Sequence, residues 1–164
     1  MTNSTHKLDN AKWLFERTLG WIATADVKVG VAVAIDTALL GGLAAAFGAS
    51  DPHLRTAWTY LTIIAAGFGM IVAIFCAGMA AIPRMLGPVK SSIYFARIAE
   101  KTEAGYAADF VQIDEQAFLS DLAIQIHRNA QIATAKHSWV RKSLLWSFLA
   151  AVPWIAAIAL LVKT

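Results

Sequence analysis

The residues best suited to chemistry form a polar stripe in the final third of the sequence. At about 100° per residue, six side chains fall within an arc of roughly 100° on one helix: Asp121, Gln125, Arg128, Asn129, Lys136 and Trp139. Arg128 and Lys136 could meet a phosphate. The amide of Asn129 or Gln125 could read a base edge through paired donors and acceptors. The stripe therefore predicts an anion or nucleotide site, with an ordinary solvated face as the alternative.

A second cluster with binding chemistry lies at residues 93–98. Tyr94 and Phe95 could stack on a base, and Arg97 could pair with a phosphate. The alternative is that Phe95 and Ile98 belong to the core while Tyr94 and Arg97 lie on the surface. Arg97 and Tyr94 are therefore candidate ligand-binding residues beside the stripe.

Asp36 is a carboxyl group about seven residues inside an apolar run. A charge at that depth in a bilayer costs roughly 2.5–3.5 kcal/mol or more. One interpretation is a role at a pore or at an assembly interface. The other is a neutral carboxyl that hydrogen-bonds a neighbouring helix through Thr62, Ser147 or the Trp154 indole.

The sequence contains no catalytic signature, since the nucleophile elbow, Walker loop, HExxH and dinucleotide fingerprint are all missing. His127 and His137 lie on faces that do not suit a shared metal, which needs about four convergent ligands in a structural zinc site. An intramembrane hydrolase would need two catalytic carboxylates, and the apolar runs contain only Asp36. We therefore expect a protein that is not an enzyme and that needs no metal and no cofactor.

The elements that position these residues are set by three apolar runs, over residues 29–48, 58–82 and 143–162. About 20 helical residues cross a hydrocarbon core of about 30 Å, so each run is long enough. The chain has 164 residues and a hydrophobic content of 58%. We predict an all-α integral membrane protein, a single domain over 1–164, with a cytosolic helical region between the second and third spans.

The segments between the spans predict further helices. Residues 7–28 show an apolar face and should continue into the first span as one helix. Asp51 and Pro52 mark a turn. A short helix is expected over 90–107, with a loose connection from Gly105 onward. A last helix should begin near Asp114, as its N-cap, and continue into the third span.

Lysine and arginine in the flanks predict the orientation. They concentrate before the first span and on both sides of the stretch between the second and third: Lys7, Lys12, Arg17, Lys28, Arg84, Lys90, Lys136, Arg141 and Lys142. The N-terminal part, 7–28, and the segment 84–142 are therefore expected to face the cytoplasm.

Three segments, in this order and at this spacing from the spans, resemble the Pycsar transmembrane effector family (PycTM). They are ERTLGWI and ADVKVG within 16–30, IYFARIA at 93–99, and DLAIQIHRNA at 121–130 with its continuation to residue 137. The resemblance implies an antiviral, anti-phage role at the cell inner membrane. A cyclase would make cyclic UMP or cyclic CMP on infection. The effector would bind it and impair membrane integrity, giving abortive infection.

The resemblance favours Arg128 and Asn129 as the first ligand contacts in the stripe. The sequence has no recognisable cyclic-nucleotide-binding β-roll, so we expect any nucleotide site to be helical, either within one subunit or shared between the subunits of a homo-oligomer in contact with lipid. Nucleic acid is not an expected partner. The alternative function is a constitutive membrane scaffold, or a small subunit of a larger membrane complex, because the spans and the long final helix suit that role equally well.

Overall fold

The computed structural model describes residues 2–84, 87–88 and 90–162. These residues form helices and connections, without a strand in the described part. The helices are α1 (Thr2–Ala49), α2 (Ala57–Ala81), α3 (Phe95–Ala99), α4 (Glu103–Gln112) and α5 (Glu115–Val162), with a 3-10 turn at Pro52–Leu54. The all-α prediction is confirmed.

The first helix continues from the polar N-terminal segment into the first apolar run, as the periodicity predicted. No proline interrupts its 48 residues. Its end is held by Arg55, whose guanidinium donates to the carbonyls of Phe47 at 2.7 Å and Ser50 at 2.8 Å. A cation at the C-terminal end of a helix can donate to the last carbonyls, and it interacts favourably with the negative end of the helix dipole. The chain therefore turns sharply after Ala49.

The other two long helices, α2 and α5, begin at residues whose side chains cap the helix. Thr56 and Thr59 form a reciprocal capping box at the start of α2, and α2 ends two residues before Pro83. The Asp114 carboxylate accepts from the Ala117 N–H at 2.7 Å, which confirms the predicted start of α5. Pro153 lies inside α5 without ending it.

The prediction of one helix over 90–107 is wrong. The Ser91 hydroxyl accepts from the N–H groups of Ile93 and Tyr94, which holds this stretch in a turn. Thr102 then caps a separate helix by accepting from the Gly105 N–H at 3.2 Å. Gly105 therefore belongs to the first turn of α4 and is not part of a loose connection.

The chain divides into two compact units. The polar unit comprises Met1–Thr24 and Pro83–Ala135, and the apolar unit comprises Ala25–Ile82 and Lys136–Thr164. Because α1 and α5 are each continuous, both helices contribute residues to both units. The assignment of residues 1–164 to a single domain stays a prediction.

Among the described residues, three helices are long and apolar enough to cross a membrane. They are His6–Ala49, Ala57–Ala81 and Glu115–Val162. They cover the three spans predicted from the sequence, except that the second helix ends at Ala81, one residue before the predicted end. Many of the exposed side chains of the apolar unit are large and apolar, including Ile64, Phe75, Phe148, Val152 and Ile155. This is the surface expected of helices that have lipid as their solvent.

The buried core of the apolar unit forms two separate clusters. The first cluster consists of Ala25, Val29, Ala77, Ala80 and Val140. The second cluster consists of Leu43, Ala66, Met70, Ala150, Ala157 and Leu161. Small residues bring the helices close together in the second cluster, where a Cβ built on Gly69 would lie 2.8 Å from the Cβ of Ala150.

Candidate functional site

A pocket of about 590 Å³ lies in the polar unit. Four consecutive segments build it: the turn at 90–92, α3, α4 with its flanking residues, and the start of α5. Its lining combines basic, acidic, aromatic and hydroxyl side chains: Lys90, Ser91, Ser92, Arg97, Glu100, Lys101, Tyr106, Asp109, Phe110, Ile113, Ala117 and Asp121. Its volume is typical of pockets that hold small molecules.

Hydrogen bonds to α5 and α4 stabilise the turn that forms one wall of the pocket. The backbone N–H and the hydroxyl of Ser92 both donate to Oδ2 of Asp121, at 2.7 and 2.8 Å. Gln125 donates from its amide to the Ser91 hydroxyl at 3.0 Å. The Tyr106 hydroxyl donates to the Ser92 carbonyl at 2.9 Å. Asp121 and Gln125 are buried, so the bonds that they make are partly or fully shielded from water and stabilise this wall.

Two of the three cationic side chains that line the pocket form exposed ion pairs. Arg97 pairs with Glu100 at 2.7 Å, and Lys101 pairs with Asp109 at 2.8 Å. The two acidic side chains are each 61% exposed. An exposed ion pair contributes only about 0–1 kcal/mol, so an incoming anion can replace the carboxylate at little cost.

Two polar atoms at the pocket are unusual. Within the described residues, Oδ1 of Asp121 and Nε of Arg97 are buried without a hydrogen-bond partner. Leaving such an atom unpaired costs about 1–3 kcal/mol. A carboxylate only accepts, and a guanidinium only donates. The pair is therefore suited to a ligand that offers an N–H or O–H donor near Asp121 and an anionic oxygen near Arg97.

Aromatic rings lie beside these polar groups. The rings of Tyr106 and Phe110 are 5.7 Å apart between centroids and tilted by 40°. Phe118 meets Phe110 edge to face, at 6.4 Å. Phe110 remains 45% exposed, so its ring offers a face on which a planar base can stack.

Comparison with known proteins identifies the family. A profile of the Pycsar effector protein domain matches residues 10–163. The chain belongs to this family. No curated protein and no solved structure matches the chain. The resemblance seen in the sequence is thus confirmed, and this Pycsar effector takes part in anti-phage defence. The family implies a cyclic nucleotide signal, and the three apolar helices agree with a membrane location.

The structure brings two of the predicted binding residues of the Pycsar effector, Arg97 and Asp121, to the pocket. Gln125 and Asn129 lie buried on α5, where Gln125 supports the Ser91 turn. Arg128 is half-buried and donates to the side chain of Gln131 at 3.0 Å. Their role in binding stays a prediction.

The pocket lining does not include Gln125, Asn129 or Arg128, nor the remaining two predicted residues, Tyr94 and Lys136. Tyr94 is half-buried and meets the Phe95 ring edge to face, with 4.9 Å between centroids. Lys136 belongs to the apolar unit, where it is buried. There it donates to the Asp26 carboxylate and, at 3.0 Å, to the Ala80 carbonyl.

Sequence reasoning missed several residues that line the pocket of this effector, chiefly Lys101, Tyr106 and Phe110. Tyr106 and Phe110 are four residues apart, which places both rings on one helical face. Thr102 ahead of them is a good N-cap. These two signals together would have indicated α4 and its aromatic face.

Asp36 of the effector lies in the apolar unit and is fully buried. Of the three predicted partners, Ser147 is the one observed, and its hydroxyl donates to Oδ2 of Asp36 at 2.8 Å. Trp154 donates instead to the Leu39 carbonyl at 2.9 Å, and Thr62 donates to carbonyls of its own helix. Within the described residues, the other carboxyl oxygen, Oδ1, has no hydrogen-bond partner.

Proposed function

We propose that this Pycsar effector binds a cyclic pyrimidine nucleotide, cyclic UMP or cyclic CMP, in the pocket of the polar unit. Binding then drives the membrane helices to impair the inner membrane, which kills the infected cell before the phage matures. The effector acts through binding and rearrangement and not through catalysis. The observation that carries the proposal is the joint presence of Arg97, Lys101 and Asp121 beside two aromatic rings in one pocket.

The chemistry of a cyclic pyrimidine nucleotide matches these groups. Its phosphate carries one negative charge, which Arg97 and Lys101 can bind through charge-assisted hydrogen bonds. Its base is planar and can stack on Phe110. Uracil offers an N–H donor and cytosine an amino group, and the free oxygen of Asp121 can accept from either.

The energy available is sufficient to change a conformational equilibrium. A hydrogen bond to a charged group contributes about 1.5–3 kcal/mol. Shifting a population from 1:99 to 99:1 requires about 5.5 kcal/mol of differential affinity. About two to four such bonds, made only in the active arrangement, reach that value. A homo-oligomer with several occupied pockets would reach it more readily.

The proposal includes a location and an orientation. The apolar outer surface of the spanning helices suits a multi-pass protein of the inner membrane in contact with lipid. The lysines and arginines in the flanks favour a cytoplasmic N-terminus and a cytoplasmic segment 84–142. A nucleotide made in the cytoplasm would then reach the pocket directly.

The test is leakage from dye-loaded liposomes that contain the purified protein. Cyclic UMP, cyclic CMP, cyclic AMP and buffer are added separately. We expect leakage with a cyclic pyrimidine nucleotide and none with cyclic AMP or buffer. Arg97→Ala should abolish the response, whereas Arg17→Ala, at an exposed position of α1 outside the pocket lining, should retain it.

Two outcomes would contradict the proposal. Leakage that is equal with and without nucleotide would remove the sensing role. Silence with every nucleotide, for protein verified to be inserted in both orientations, would favour the constitutive scaffold. Direct binding by calorimetry, in detergent, separates a failure to bind from a failure to perturb the membrane.

A further inference from the structure

A polar layer separates the two apolar clusters of the apolar unit. Along α1, Asp36 lies between Val29 of the first cluster and Leu43 of the second. Along α5, Ser143 and Ser147 lie between Val140 and Ala150. Asp36 and Ser143 are 0% and 1% exposed. The buried Asp36 and Ser143, with the half-buried Ser147, therefore form a polar layer between the two apolar clusters along these helices.

This layer has unused hydrogen-bonding capacity. The Ser147 hydroxyl lies 2.8 Å from Oδ2 of Asp36 and 3.1 Å from the Ser143 carbonyl, so it is engaged. Within the described residues, Oδ1 of Asp36 and the Ser143 hydroxyl have no partner. Two buried oxygen atoms on neighbouring helices are therefore available to a ligand. Oxygen ligands of this kind suit a hard inorganic cation.

The layer also contains a carboxyl without a protein counter-ion. In the described part of the chain Asp36 makes no ion pair, and the buried cation of the same unit, Lys136, is committed to Asp26. A charged side chain inside a membrane span is costly when no water reaches it. Acidic and basic residues within spans therefore usually face a water-filled cavity or mark an ion pathway. Closed apolar constrictions exclude water, whereas acidic side chains in a wet path attract cations.

We propose that Asp36, Ser143 and Ser147 form a binding site for a permeant monovalent cation in the activated state. The first and second clusters act as the two gates that keep this site dry in the resting state. The inference rests on the proposed function, because it specifies the path that opens when the membrane is impaired. Alanine is the most frequent residue in both clusters, so a small separation of the helices at the gates is enough to admit water.

The experiment measures the reversal potential of nucleotide-activated currents in planar bilayers with a gradient of potassium chloride. The wild-type effector is compared with Asp36→Asn and with Asp9→Asn. Asparagine retains an oxygen that can accept from Ser147, but it cannot carry the charge. Asp9 is exposed on α1, outside the apolar unit, and serves as the matched control.

We expect the wild type and Asp9→Asn to pass potassium in preference to chloride. In Asp36→Asn the preference should fall by about fivefold, the loss expected when one charge about 4 Å from the ion is removed in water. An Asp36→Asn current with unchanged selectivity would overturn the inference while leaving the proposed function standing. A wild-type current that passes chloride as readily as potassium would overturn it as well, whatever the variant does. A wild type that binds nucleotide but gives no current would overturn both.

Discussion

Lys136 on α5 donates a hydrogen bond to the carboxylate of Asp26 on α1, across 110 positions of sequence. The same ammonium donates to the Ala80 carbonyl in the last turn of α2. One cation thus joins three helices of the apolar unit. The Lys136 side chain is 8% exposed and that of Asp26 is 49% exposed, so the two partners differ in how far water can replace their bond.

This difference in exposure between Lys136 and Asp26 predicts which of two variants is the less stable. Asp26→Ala leaves a buried ammonium without its counter-ion, and removing one partner of a buried pair costs about 3–5 kcal/mol. Lys136→Met leaves a carboxylate that water can reach and keeps the apolar stem packed. We expect Asp26→Ala to lower the unfolding temperature in detergent more than Lys136→Met. Lys28→Met, at an exposed position, should change it little, and the reverse order would refute the asymmetry.

The close approach of α2 and α5 at Gly69 predicts a matched pair of variants. A methyl group at Gly69 would meet Ala150 at 2.8 Å, so Gly69→Ala should overpack the second cluster and destabilise the protein by about 1–3 kcal/mol. Gly67 has open space at the corresponding position, and Gly67→Ala should be neutral or stabilising, since alanine favours a helix by about 0.5–1 kcal/mol. Thermal unfolding in detergent measures both, and equal effects would contradict the packing observed.

The exposed ring of Phe110 predicts a second matched pair, at adjacent positions. Phe110→Ala removes a stacking surface worth about 1–3 kcal/mol per base and should weaken nucleotide binding by about tenfold or more. Val111 is 84% exposed and is outside the pocket lining, so Val111→Ala should leave the affinity unchanged. Isothermal titration with the activating nucleotide gives both values. Equal affinities would show that the base does not stack on Phe110.

The carboxylate of Asp121 predicts a separate effect on affinity. Asp121→Asn keeps an oxygen for the Ser92 N–H but weakens the acceptor offered to a ligand, so the affinity should fall by about tenfold to a hundredfold. Hydrogen exchange of the Ser92 amide provides the structural control, because this amide should stay protected in the variant. An unchanged affinity with a protected amide would exclude Asp121 as a ligand contact.

The long helices could be predicted from the sequence because each relies on local signals. The apolar periodicity of residues 7–28, without an intervening proline, predicted that α1 is continuous. Asp114, as an N-cap, predicted the start of α5. The short helices α3 and α4 could not be predicted in this way. The turn at Ser91 keeps the residues before α3 out of a helix, and the cap at Thr102 sets where α4 begins. A periodicity argument over 90–107 does not weigh side-chain bonds of this kind against helix formation.

The candidate site was harder to predict because a helical projection gives the direction of a side chain and not its neighbour. Asp121 and Lys136 share one face of α5, yet Asp121 meets the Ser92 turn while Lys136 meets Asp26. The position along the helix decides which partner is available. The Asp36 hydrogen bond was among the predicted alternatives because few polar groups occur in the spans.

The bond from the Trp154 indole to the Leu39 carbonyl makes this side chain an optical reporter for the opening proposed above. The indole is half-buried and joins α1 to α5, so separation of these helices would free its N–H and expose the ring to water. Tryptophan fluorescence shifts to the red in a polar environment. A protein in which the other five of the six tryptophans are phenylalanine would therefore signal opening by the colour of its own emission, without a dye or a label.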